Sequence, residues 1–241
     1  MSKVWLITGA SRGLGRAFTE AVLEAGDRVV ATARNPEQLV ELQGRYSSKI
    51  RTVALDVTNE AQAKAAFEAA IASFGVLDVL VNNAGYGDVR PVEDTPLADF
   101  RAQIEANLFG VIIVTKAVLP YFRERRAGHI IQVTSIAGRI GPVGRAPYAA
   151  AKFGVEGFSE SLLKEIGPLG IKVTIIEPGG FRTDFAGSST ELSEGRSEYD
   201  STVGASVRFQ RTYNGNSLAI RQRQRRCFCT SLRSPNRRYG C

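Results

Sequence analysis

Tyr148 and Lys152 stand four residues apart in Tyr148-Ala149-Ala150-Ala151-Lys152. At i and i+4 on a helix both side chains share one face, which brings an ammonium close to a phenol. A phenol of pKa about 10 is a poor acid–base group at neutral pH, and bringing it near 7 takes about 4 kcal/mol of preferential phenolate stabilisation. Lys152 supplies one positive charge for that purpose. The chain has seven Tyr and seven Lys, so chance gives about 0.2 such pairs, and this is the only one. Ser135 precedes Tyr148 by 13 residues and can hydrogen-bond a substrate carbonyl oxygen from the other side. Asn107 is a poor helix former among apolar neighbours; its amide either serves the chemistry or links a helix to a strand.

A second set of residues is suited to a phosphate-bearing ligand. Glycines 9, 13 and 15 fall in Thr8-Gly9-Ala10-Ser11-Arg12-Gly13-Leu14-Gly15, where a tight turn lets backbone N–H groups at a helix N-terminus approach a pyrophosphate. The spacing is Gly-x-x-x-Gly-x-Gly, which meets the generic dinucleotide fingerprint only approximately. Ala31-Thr32-Ala33 is followed by Arg34 where an NAD-selective site usually has an acid, and Arg34 with Arg12 can clamp a 2′-phosphate, so NADP(H) is expected over NAD(H). Asp56-Val57 and Asn82-Asn83-Ala84-Gly85 fall where adenine and the centre of the cofactor would lie, although Asp and Asn also favour turns for local reasons. No metal site is expected. His129 is the sole histidine and reads as a turn or core residue, and Cys227-Phe228-Cys229 lacks zinc-type spacing.

The elements that must position these groups alternate. Short apolar strands at Lys3–Thr8, Arg28–Ala33, Ile50–Leu55, Leu77–Val81, His129–Thr134 and Ile171–Ile176 are separated by helix-length segments. Those segments include Asn59–Phe74, about Leu97–Phe122 and about Pro147–Ile166. Strands apolar on both faces imply a parallel sheet covered by helices on each side, a doubly wound α/β fold of Rossmann type. Ligands in such folds bind beyond the carboxyl ends of the strands, where the residues above fall.

Together these residues resemble the short-chain dehydrogenase/reductase family over about residues 3 to 190, with Pro178-Gly179 and Thr183 completing the pattern. The resemblance implies strand order 3-2-1-4-5-6-7 and a catalytic tetrad of Asn107, Ser135, Tyr148 and Lys152. It implies cofactor contacts from Gly9, Ser11, Arg12, Gly13, Leu14, Gly15, Arg34, Asp56, Val57, Asn83, Ala84, Gly85, Tyr148 and Lys152, and from Pro178, Gly179, Phe181 and Thr183. Hydride transfer between a carbonyl and an alcohol is the implied reaction. Ser135 and Tyr148 would hold the oxygen, Tyr148 would give the proton, and Asn107 would position a water that re-protonates Lys152. Tyr86, Ile136, Val143, Phe181 and Phe185 are expected near the nicotinamide, a mostly apolar set with no fixed charge that suits a small apolar ketone or alcohol. A homodimer or homotetramer in the cytoplasm is the family expectation. A catalytically silent NADP-binding regulator on the same fold is the alternative, disfavoured by the intact proton donor.

The end of the chain departs from that pattern. The formal charge is +7 over 241 residues, but residues 201 to 241 hold nine arginines and no acid, so taking those nine away leaves −2 on the first 200. All three cysteines lie in the same segment, leaving a cysteine-free body that fits a reducing compartment. No run approaches the 18 or so apolar residues of a membrane span, and neither nucleic acid nor membrane is an expected partner. The division expected is one Rossmann-fold dehydrogenase domain, 1–214, and an atypical Arg/Cys-rich tail, 215–241, in which the usual last helix and seventh strand are lost. A basic nucleic-acid arm is one explanation of the tail and a shifted reading frame is the one expected: permitted codons for Leu218 through Cys229, read two bases out of frame, give GDPAKAAAVLL, and the continuation gives HLAAEPEPPLRL. Those strings restore an amphipathic helix and a proline-bounded apolar strand.

Overall fold

Val4–Ile7 forms strand β1, whose two-residue period divides four apolar side chains between two faces. Trp5 and Ile7 join a core with Phe18, Val22 and Leu23 of helix α1 (Gly13–Glu24). Val4 and Leu6 join the opposite core, with Ala63, Ala66 and Ala70 of α3 (Glu60–Phe74) and with Val114, Val118 and Phe122 of α5 (Gly110–Arg125). One sheet buried on both sides follows directly from that division. The computed structural model describes residues 2–179, 190–213 and 238–240.

The remaining strands are β2 (Arg28–Ala33), β3 (Ile50–Ala54), β4 (Val79–Asn82), β5 (Gly128–Val133) and β6 (Ile171–Glu177). Helix α2 is Val40–Tyr46, α4 is Leu97–Ile104 and α6 is Ala146–Ile166. Every pairing is parallel, and the order is β3-β2-β1-β4-β5-β6, as the sequence predicts. The winding reverses between β1 and β4, and a crevice opens there beyond their carboxyl ends.

Local chemistry sets several boundaries. Asn59 caps α3 by accepting the Gln62 N–H at 3.0 Å, and Gly75 ends it in the left-handed conformation at φ 74°. The single long helix expected over about Leu97–Phe122 is interrupted by a π-helical turn at Glu105–Phe109, which contains Asn107. The whole stretch Leu97–Arg125 is long and apolar enough to cross a membrane by length and composition alone, yet its Val114, Val118 and Phe122 lie in the core against the sheet.

Two findings depart from the sequence reading. Residues 238–240 form a seventh strand, β7 (Arg238–Gly240), parallel to β6 opposite Ile175–Glu177, where the strand was expected to be lost. Pairing along an edge requires only backbone N–H and C=O groups, so three residues without a strand-like apolar pattern can occupy it. A short helix, α7 (Ala205–Tyr213), follows a turn at Ser197–Gly204, and neither was expected. Val203 and Val207 pack there with Val89, Leu192 and Tyr199 as a small separate cluster.

Candidate active site

A cleft of about 980 Å³ runs over the carboxyl ends of β1, β2, β4 and β5. Its floor at one end is the glycine turn. Gly9 and Gly13 have φ of 64° and 57°, a region that disfavours a Cβ. A Cβ on Gly15 would lie 2.1 Å from the Gly9 carbonyl oxygen, so the start of α1 closes against the turn only because residue 15 has no side chain. Asn83 fixes this turn from the neighbouring strand: its Nδ2 donates to the carbonyls of Thr8 at 2.9 Å and Gly9 at 3.2 Å. The Thr8 hydroxyl accepts the N–H groups of Asn83 at 2.9 Å and Ala84 at 3.0 Å. Asn83 thus braces the turn as well as lining the cleft.

Arg12 and Arg34 are exposed on the cleft rim, beyond the ends of β1 and β2. Asp56, Val57 and Thr58 continue the wall after β3. The Asp56 carboxylate accepts the Thr58 N–H at 3.0 Å and hydroxyl at 2.8 Å, and these bonds, helped by the Arg34 charge, hold its pKa below the usual carboxylate value. A turn with left-handed glycines, N–H groups at a helix start and two rim cations fits a dinucleotide carrying phosphates.

The other end of the cleft gathers the reactive side chains. Tyr148 and Lys152 lie on the first turns of α6 and are 5% and 3% exposed. Lys152 donates from Nζ to the Val133 carbonyl at 2.9 Å, and the same ammonium lies 5.6 Å from the centre of the Tyr148 ring. Burial pushes the Lys152 pKa down to about 8, with the Glu156 carboxylate one turn further along α6 opposing the shift. Burial pushes the Tyr148 phenol above its ordinary value, against the Ser135 hydrogen bond and the Arg145 charge, so the phenol is protonated at neutral pH. Ser135 caps the short turn Ile136–Gly138, its Oγ accepting the Ala137 N–H at 3.1 Å.

Asn107 is fully buried. Its Nδ2 donates to the carbonyls of Tyr86 and Gln103, both at 2.8 Å, and its Oδ1 accepts the Tyr86 N–H at 3.2 Å. The amide therefore ties the π-helical turn to the loop after β4, the structural reading of this residue.

Ser11, Leu14, Ala84, Gly85, Tyr86, Ile136, Pro178 and Gly179 also line the cleft. Val143 does not line it and is 53% exposed, although its neighbours Pro142 and Arg145 do line it. Phe181, Thr183 and Phe185 lie outside the described residues, as does residues 214–237 of the tail. The residues expected at the reactive end carry no fixed charge, but Arg145, at the N-cap of α6 three residues before Tyr148, brings one to the cleft lining. Its guanidinium donates to the Gly87 carbonyl at 3.2 Å and to Gln210 Oε1 at 2.7 Å. Ser206, Phe209 and Gln210 of α7 complete that wall and were not anticipated. The Tyr199, Val203, Val207 spacing, four residues at each step, was the available signal for a helical segment there. Among the described residues no group of His, Cys, Asp and Glu could hold a metal ion.

Comparisons with known proteins place the fold among known families. The profile described as short chain dehydrogenase matches residues 3–193. Oxidoreductase BOA17 of Botryotinia fuckeliana is 48% identical over 221 residues, covering 91% of this chain and 81% of that protein. A short-chain dehydrogenase structure from Streptomyces avermitilis superposes with a TM-score of 0.90 at 35% identity, over 100% of this chain and 89% of that one. ElxO with NADP bound has a TM-score of 0.73 at 30% identity over 76% of each chain. A 3-ketoacyl-(acyl-carrier-protein) reductase of Brucella melitensis complexed with NADH has a TM-score of 0.73 at 31% identity, over 76% of this chain and 78% of that one. The profile spans the strands that frame the cleft, from β1 through β6, and on that ground the chain belongs to the short chain dehydrogenase family of oxidoreductases.

Proposed function

We propose that this chain is an NADP(H)-dependent oxidoreductase that interconverts a carbonyl and an alcohol, with Tyr148 as the acid–base residue. The observation that carries the reading is the convergence of Tyr148, Lys152 and Ser135 in the same cleft as the glycine turn. A bound nicotinamide supplies the hydride that the chain itself lacks. In the reductive direction the Tyr148 O–H donates its proton to the carbonyl oxygen as the carbon is reduced, leaving a phenolate. Ser135 holds that oxygen from the other side. The buried phenol arrives protonated, as a donor must, and the phenolate it leaves is favoured by cations. Lys152 and Arg145 are the cations facing it. Asn107 keeps the π-helical turn against the Tyr86 loop and so supports the water through which Lys152 recovers a proton.

Arg12 and Arg34 on the rim, with no acid at the end of β2, favour the 2′-phosphate of NADP. Titrating NADPH and NADH separately while following nicotinamide fluorescence tests this; equal affinity for the two would refute the preference. Tyr148→Phe is expected to bind NADPH as the parent does and to lose turnover, and near-normal turnover would overturn the tyrosine assignment.

The same reading assigns residues 1–214 to the dehydrogenase domain and 215–241 to a shifted reading frame. The family match ends at residue 193, before the arginine-rich segment begins. Sequencing the coding DNA tests it: codons incompatible with the restored C-terminal helix and strand would end the idea.

A further inference from the structure

Arg139 closes the turn that carries Ser135: the Gly138 N–H donates to the Ser135 carbonyl at 2.8 Å and the Arg139 N–H to the Ile136 carbonyl at 2.9 Å. From there its guanidinium reaches two other elements of the site. Nε and Nη2 both donate to Glu177 Oε1, at 3.0 and 2.7 Å, and Nη2 lies 3.5 Å from Glu156 Oε2. Glu177 ends β6 and immediately precedes Pro178, which lines the cleft. Glu156 lies on α6 one turn beyond Lys152. Backbone contacts reinforce both joins. The Ile136 N–H donates to the Pro178 carbonyl at 3.0 Å. Gly138 packs so closely on α6 that a Cβ there would lie 3.1 Å from the Lys152 carbonyl oxygen and 3.1 Å from Glu156 Cγ. The three charged groups therefore meet where the Ser135 turn, the Tyr148–Lys152 helix and the Pro178 segment come together.

We propose that Arg139 is a positioning residue of the reaction: held by Glu177 and Glu156, it fixes the Ser135 turn against α6 on one side and against the Pro178 segment on the other. The inference rests on the carbonyl-reductase reading above. Ser135 has to meet the same substrate oxygen that the Tyr148 O–H meets, and a misplacement of about 1 Å costs on the order of 100-fold in rate. A guanidinium fixes direction through its fork of donors as well as supplying charge, which an ammonium does not. The two carboxylates that hold it are only 12% and 6% exposed, so the triad is not a solvated surface pair of little consequence. Arg139 does not itself line the cleft, so its effect passes through Ser135 and Pro178. On the same reading the phosphates and adenosine of the cofactor are met at the glycine turn, Arg12 and Arg34, away from this junction.

The test measures NADPH affinity, thermal midpoint and steady-state reduction of 2,2,2-trifluoroacetophenone by the full chain, with hydrogen or deuterium at the transferred position of NADPH. Arg139→Lys keeps a cation between the carboxylates and loses the fork. It is expected to melt close to the parent and to bind NADPH within about 2-fold, while kcat falls about 10-fold. The isotope effect on kcat is expected to rise, because a slowed hydride step limits turnover more fully. Glu177→Leu removes the β6 arm and leaves Arg139 paired with Glu156, so no buried charge loses its partner, and the same pattern is expected from it. Parent-like kcat per bound NADPH in both variants, whatever their midpoints, would overturn the inference and leave the reductase reading intact. A kcat loss with an unchanged isotope effect, matched by an equal loss of NADPH affinity, would also overturn it. Absence of ketone reduction by the parent, with NADPH bound, would remove the reductase reading and this inference with it.

Discussion

Gly85 and Asn107 are packed so that no side chain fits at 85: a Cβ there would lie 2.5 Å from Asn107 Oδ1, and 3.7 Å from Lys152 Nζ. The backbone at 85 is not left-handed, so the constraint is space alone. Gly85→Ala should push the Asn107 amide from the Tyr86 backbone and lower kcat about 100-fold. Steady-state kinetics beside a thermal melt check it; an unchanged kcat would show that the amide can shift without consequence.

Cofactor choice should depend on Arg34. Replacing it with Asp supplies the acid that favours ribose hydroxyls and removes one rim cation. The ratio of NADPH to NADH affinity is expected to fall about 100-fold, read from separate Kd values for each nucleotide.

Acid sensitivity should trace in part to His129. Its ring lies between β5 and β6, with Nε2 2.8 Å from Thr174 Oγ1, and burial with the Lys3 and Lys172 charges lowers its pKa to about 4. An unfolded chain protonates this ring near 6.5, so between 6.5 and 4 the unfolded state binds more protons and stability falls as pH falls. The full loss is under about 3 kcal/mol for the partly accessible ring. His129→Gln should flatten the urea-midpoint profile across that window; the same slope in both proteins would place the acid sensitivity elsewhere.

Arg139 joins three elements. Its guanidinium lies 2.7 Å from Glu177 at the end of β6 and 3.5 Å from Glu156 on α6, and Arg139 itself follows the Ser135 turn. The two carboxylates are 12% and 6% exposed, so removing their shared cation leaves buried negative charge. Arg139→Met should cost about 1–3 kcal/mol of stability, the third of the arginine that is exposed limiting the effect. A thermal melt of the variant at the parent's midpoint would contradict this account.

The strand-end chemistry was legible because it depends on local order: a glycine turn after an apolar strand, or Tyr148 with Lys152 on one helical face, is visible without any long-range contact. Sheet order came from the resemblance, while the alternating burial of Trp5 and Leu6 follows from period alone. Arg145 was missed because its importance comes from the Gly87 loop and Gln210, partners 58 and 65 residues away. Strand β7 carries no sequence signal because an edge strand is held by backbone groups, and α7 was hidden by a short apolar stripe within a polar stretch.

The π-helical turn at Glu105–Phe109 has a consequence for how this region tolerates changes in length. Such a turn accommodates one residue beyond an α-helical register. Deleting a single residue there would yield a regular helix from Leu97 onward, with no broken backbone ladder and an unchanged apolar composition. The segments on either side would keep their relative rotation, because the wide turn holds its extra residue within one turn, whereas the same deletion elsewhere in the rod would turn one end by about 100° relative to the other. What would be lost is the wide turn itself, the stretch that contains Asn107 and presents its amide to the Tyr86 loop. The surplus residue thus bears on the side that faces that loop and leaves the side that packs on the sheet in phase.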